Sequence, residues 1–109
     1  MTPRRIIITE DAQLDLASLY DYIADNDSVA QAERVMDRLL DVAASLAQNA
    51  ERGSHPRELA ALGYHDFRQI VLKLWRIVYG VESDRVIVYV IADGRRDMRT
   101  LLAQRLLGA

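Results

Sequence analysis

Three arginines carry the chemistry that this sequence offers most directly. Arg95 and Arg96 stand side by side between Gly94 and Asp97, at the exit of the apolar run Val86–Ala92. Arg76 lies in the preceding run, Trp75-Arg76-Ile77-Val78-Tyr79. A planar guanidinium fork matches carboxylates and phosphates by two-point contact, so the trio suits an anionic partner. Proton transfer is served less well. His55 and His65 read as surface loop residues, while Tyr79 and Tyr89 occupy strand positions that suit a core. There is no cysteine, no His-x-x-x-His and no tight acidic cluster, so neither a metal site nor a cofactor is expected. Gly94 is a lone turn residue and not part of a phosphate-cradling loop.

Strands must position these arginines. Trp75–Glu82 alternates, with Trp75, Ile77, Tyr79 and Val81 on one face and Arg76, Val78, Gly80 and Glu82 on the other. Val86–Ala92 is apolar on both faces, as a central strand would be. Phe67–Leu72 is a further strand, and the turn at Lys73-Leu74 has no Gly, Pro or Asn to mark it. Upstream, Arg4–Thr9 holds three consecutive isoleucines and reads as a short strand.

Two helices follow that first strand. Thr9 caps the first, with Glu10 and Asp11 on the positive end of its dipole, and Ala12, Leu16, Leu19, Tyr20 and Ile23 form its apolar stripe to about Asp25. Ser28 with Gln31 gives a capping-box signature for the second. Its stripe is Ala32, Val35, Met36, Leu39, Ala43 and Leu46, ending near Gln48. So short a break makes the helices antiparallel neighbours. Leu14 and Tyr22 fall off the first stripe and face elsewhere.

The loop from Asn49 to Tyr64 is long enough to hold a helical turn at Arg57–Leu62. The segment from Asp97 to Leu107 reads as a last short helix with Met98, Leu101, Leu102 and Leu106 inward. The expected fold is α+β in the order β-α-α-β-β-β, an antiparallel helical hairpin on one face of a mainly antiparallel sheet. The sequence places Trp75 and Tyr79 at the centre of the core; truncating a fully buried Trp75 to Ala would cost about 3–5 kcal/mol. Arg76, Val78 and Gly80 are expected on an open opposite face.

A chain of 109 residues, half of them hydrophobic, supports one core, and residues 1–109 are read as a single domain. No apolar run approaches the roughly 20 residues that span a bilayer. The basic start has an apolar stretch too short for a signal peptide, and the cytoplasm is the expected compartment. The net charge of −2 is unevenly spread. Residues 1–63 hold 6 basic and 11 acidic side chains, and residues 64–109 hold 8 and 5. The basic residues are 13 Arg and 1 Lys.

The Phe67-Arg68 strand start, the Trp75-Arg76-Ile77-Val78-Tyr79 strand and the closing Val90-Ile91-Ala92-Asp93-Gly94-Arg95-Arg96-Asp97 together resemble the ParE/RelE superfamily of type II toxins. The second and third match its aromatic-Arg-Ile-Val-Tyr and His-x-Arg-Arg-Asp patterns. Asp93 departs from the latter, standing where many relatives have His. The resemblance implies a cytoplasmic toxin of a plasmid-stabilisation type module, neutralised by a cognate ParD-like antitoxin that alone contacts DNA. RelE-like relatives cleave messenger RNA on the ribosome without a metal; ParE-like relatives inhibit DNA gyrase.

Metal-free RNA cleavage needs a base, an acid and positive charge on the phosphate. The arginines supply only the charge, and an acidic chain is poorly suited to riding on RNA. The ParE-like reading is therefore favoured, with inhibition by binding and no catalytic residue. Its alternatives are a RelE-like endoribonuclease or a non-toxic binding member. Arg76, Arg95 and Arg96 are the expected target contacts; Leu14, Tyr22 and Val78 are the expected antitoxin contacts.

Overall fold

Side-chain caps set where the helices begin. Thr9 Oγ1 accepts from the Ala12 N–H at 3.1 Å and Ser28 Oγ from the Gln31 N–H at 3.0 Å. They open α1 (Glu10–Asn26) and α2 (Val29–Ser45). The structure, a computed structural model, describes residues 2–108. Strand β1 (Arg5–Ile8) precedes the hairpin. After it come a 3-10 turn (Ala50–Arg52), the single-turn helix α3 (Arg57–Ala60), strands β2 (Phe67–Leu72), β3 (Trp75–Val81) and β4 (Arg85–Asp93), and helix α4 (Met98–Leu107). The fold is α+β, with the helical hairpin against one face of a mainly antiparallel sheet. Helix α2 stops three residues short of Gln48, its expected end.

The sheet order is β1-β4-β3-β2. Only β1 and β4 pair in parallel. β4 lies between β1 and β3 and has helices packed on both faces, which is why its sequence is apolar throughout. Between β2 and β3, Leu72 pairs with Trp75, leaving Lys73-Leu74 as a two-residue turn. Lys73 takes a φ of 56°, a left-handed conformation usually left to Gly or Asn. That is why the turn is unmarked in the sequence.

The α1 and α2 stripes close on Ile77, Tyr79, Val86, Val88 and Ile91 to form the main core. Tyr79 is fully buried at its centre. Trp75, expected beside it, is only partly buried at the margin. The expectation of an open opposite face is overturned. Leu59 of α3 and Met98 and Leu102 of α4 cover Val78, Val90 and Ala92 as a second core. Val78 and Gly80 are buried, and Arg76 is 9% exposed.

A bulge in β4 makes this second core possible. Val78 pairs with Val90 and Tyr79 with Val88, so Tyr89 is the extra residue. Its ring meets Phe67 edge-on, with centroids 5.7 Å apart.

Candidate functional site at the strand exit

The exit of β4 is a compact charged turn. Asp93 accepts from the Arg95 backbone N–H at 2.9 Å and holds its guanidinium through Nη2 at 2.6 Å. Bonding to Arg95 outweighs the burial of Asp93 and lowers the Asp93 pKa. Asp97 then caps α4, accepting from the Thr100 N–H at 3.2 Å and from its hydroxyl at 2.7 Å. So the two acids that flank the arginine pair have separate tasks: one orients Arg95, the other starts the helix. Arg96 is exposed and, among the described residues, makes no ion pair.

Arg76 is the opposite case. Its Nη1 and Nη2 donate to Glu58 of α3 at 2.8 Å each, and its Nε donates to Gln69 Oε1 at 2.7 Å. The Arg76 guanidinium holds the Glu58 carboxyl down at about 2. Gly94 passes directly over this side chain. A Cβ there would stand 3.0 Å from Arg76 Cδ, and the Gly94 N–H donates to Leu74 O at 2.7 Å. Glycine at 94 thus lets the exit turn lie on the hairpin tip. Neither Glu58 nor Gln69 was suggested by sequence.

The six expected contact residues separate in space. Arg96 and Tyr22 line one cleft of about 490 Å³, with Leu19, Ile91 and Asp93. Tyr22 is 63% exposed and Leu14, about two turns earlier on α1, is 59% exposed. Arg76 and Arg95 line a different cleft, also about 490 Å³, on the α3 side, although Arg95 also borders a smaller cleft together with Tyr22. His55, expected to be a plain loop residue, stands on its rim with Arg57 and Lys73. Its Nδ1 lies 3.0 Å from Phe67 O. Val78 lines neither cleft, because it is wholly buried.

An ion pair that the sequence reading missed fixes α4. Arg105 Nη1 and Nη2 meet the Asp15 carboxylate at 2.9 and 3.0 Å, and Nη1 also donates to Tyr89 O at 2.9 Å. Asp15 in turn accepts from the Ile91 N–H at 3.0 Å. β1 ends opposite Val88, so β4 beyond the bulge has no strand on that side. Asp15 and Arg105 satisfy its backbone instead. The available signal was an acid next to the apolar stripe, between Ala12 and Leu19.

With this geometry in view, the comparisons identify the family. A family model described as the ParE toxin of the type II toxin-antitoxin system, parDE, matches residues 6–98. The chain belongs to that family. Its fold is similar to a solved chain of the chromosomal ParDE toxin–antitoxin system from P. aeruginosa, with a TM-score of 0.69 and 16% identity. That likeness covers 83% of this chain and 95% of the other. Among curated proteins, none matches.

Proposed function

We propose that this ParE-family chain works as one unit that inhibits DNA gyrase by binding, without catalysis or cofactor. A ParD-like antitoxin, which alone reaches DNA, would neutralise it in the cytoplasm. One observation carries the reading: the strand-exit arginines face carboxylates and open surface. Arg95 is oriented by Asp93, and Arg96, without an ion pair among the described residues, stands beside exposed Tyr22. Such groups recognise a partner's anionic surface and have no acid–base task. The related ParDE system supports an antitoxin, whose place we assign to the exposed Leu14–Tyr22 side of α1. No helix is long and apolar enough to cross a membrane among the described residues.

A second reading has one observation in its favour. The cleft on the α3 side gathers His55 with Arg57, Lys73, Arg76 and Arg95, a collection that could hold a phosphate. Against it, Arg76 and Arg95 are already engaged by Glu58 and Asp93. Expression in cells with and without the adjacent reading frame tests the module. Growth arrest relieved by the neighbour is expected; unaffected growth would leave a non-toxic binding member. Codon-phased cuts in messenger RNA would instead establish the endoribonuclease.

A further inference from the structure

The chain has two histidines, and the fold brings them together. The ring centroids of His55 and His65 lie 5.7 Å apart, with the rings at 87°. Nothing in their spacing announces the meeting, because helix α3 lies between them in the chain. Each backbone is anchored. Ser54, next to His55, exchanges both backbone hydrogen bonds with Gln69 of β2, at 3.1 and 2.7 Å, and Pro56 on the other side is fully buried. His65 follows Tyr64, whose N–H donates to Leu59 O at 2.9 Å, and it stands just before β2 begins at Phe67.

The two rings are held differently. His55 Nδ1 lies 3.0 Å from Phe67 O. A carbonyl only accepts, so this bond puts the proton on Nδ1 and leaves the lone pair on Nε2. A backbone carbonyl that fixes one ring nitrogen is the usual support for an imidazole whose other nitrogen binds a metal. The His65 ring makes no hydrogen bond among the described residues, and its side chain is exposed, so it can turn.

Both rings line an open cleft of about 390 Å³. Its guanidiniums are turned onto backbone oxygens. Arg4 Nε donates to Glu82 O at 2.8 Å, and Arg68 Nη1 donates to Glu51 O at 3.1 Å and Gly53 O at 2.8 Å. Of the carboxylates there, Glu82 is paired with Arg85 at 2.6 Å, which leaves Glu51 and Asp66 to balance Arg4 and Arg68. The field of the cleft therefore selects neither sign, and the donor chemistry of the imidazoles decides the ligand. Among the described residues, no three of His, Cys, Asp and Glu stand together as a ligand set.

We propose that His55 and His65 together hold one divalent transition cation of the zinc kind. Imidazole nitrogen suits such ions, whereas hard cations require oxygen. With metal–nitrogen bonds of about 2 Å, two imidazoles on one tetrahedral cation have ring centres roughly 5 Å apart, so a small turn of the His65 ring closes the site. Water fills the remaining positions. The cation clips the residue before α3 to the residue before β2 and closes the loop that carries Glu58, the partner of Arg76. The proposal is independent of the toxin reading.

The tag-free chain is titrated with Zn²⁺ alone by calorimetry, in a non-chelating buffer, and its melting temperature and amide exchange are followed with and without the metal. One cation per chain is expected. The imidazole proton signals of His55 and His65 should shift together, the melting temperature should rise, and exchange should slow across residues 56–64. His55→Gln and His65→Gln, both exposed positions, should each weaken binding about tenfold or more and abolish the thermal shift. Mg²⁺ in excess should displace nothing.

Unchanged zinc affinity in either single variant overturns the proposal, since two imidazoles are then not the ligands. Displacement by Mg²⁺ overturns it in favour of a carboxylate site at Glu51 and Asp66. One cation per two chains, with dimers in sedimentation, overturns the clip, because the histidines then come from different copies. Zinc binding that needs both histidines but leaves melting and exchange unchanged overturns the bracing of α3.

Discussion

The α1–α2 face of the sheet is apolar and centres on one buried hydroxyl, Tyr79, whereas the α3–α4 side is fastened at its margins by ion pairs. Tyr79 donates to Ala50 O at 2.7 Å and accepts from the Gly53 N–H at 3.0 Å, which ties the long loop to the sheet. Burial raises its pKa. On the other side, Arg76–Glu58 holds α3, while Arg105–Asp15 clips α4 around the end of β4. Burying a hydrophobic stripe is non-directional and cumulative, so the first face tolerates local change away from Tyr79 and its two hydrogen-bond partners. A buried ion pair contributes little net stability but is costly to halve, so the second side depends on single residues.

The largest test of that contrast is Tyr79→Ala. It empties the centre of the core and orphans the Gly53 N–H and Ala50 carbonyl. A loss of about 4 kcal/mol or more is expected in denaturant unfolding. Gly53 shares this constraint, since a Cβ there would stand 2.6 Å from Gln69 O. Trp75→Ala, at the margin, should cost clearly less than the 3–5 kcal/mol of a fully buried site.

Halving the Arg76 pair comes next. Glu58→Gln removes the countercharge and one of the two acceptor oxygens from a nearly buried guanidinium and should cost roughly 3 kcal/mol. The same pair predicts an acid limb in stability. Bonded to Arg76, Glu58 titrates at about 2 in the folded chain, well below its ordinary 4.5. A depressed carboxylate stabilises above its unfolded pKa, and this is lost as pH falls from about 4.5 toward 2. In Glu58→Gln that limb should be shallower.

Asp15→Asn should cost about 2 kcal/mol, with a distinctive pattern. Amide exchange should quicken in α4 and at Ile91, while α2 keeps its protection. Uniform loosening of both faces would contradict the division of labour. The smallest stability effect belongs to Tyr22→Ala, within about 0.5 kcal/mol because the ring is exposed. Antitoxin affinity, measured by calorimetry, should nevertheless fall about tenfold.

The same contrast explains what the sequence made legible. The helical hairpin follows from stripes at 3.6-residue spacing and local caps at Thr9 and Ser28. The Tyr79 side of β3 follows from alternation. The α3–α4 side does not, because its links join residues far apart: Asp15 to Arg105 is a separation of 90, and Glu58 to Arg76 one of 18. Alternation correctly placed Val78 opposite Tyr79, but could not show that α3 and α4 would cover it. The Tyr89 bulge shifts the facing of β4 by one residue, and no local signal announces it. At the strand exit, the Arg95–Arg96 pair was visible as a motif. That Asp93 engages one arginine, and that the other makes no ion pair among the described residues, was not.

The claim that rests most heavily on this site is inhibition by contact through Arg96. Purified chain should block supercoiling by DNA gyrase in vitro. Arg96→Ala should restore supercoiling at the same toxin concentration, with thermal stability unchanged. Undiminished gyrase activity in the presence of the parent chain would contradict it.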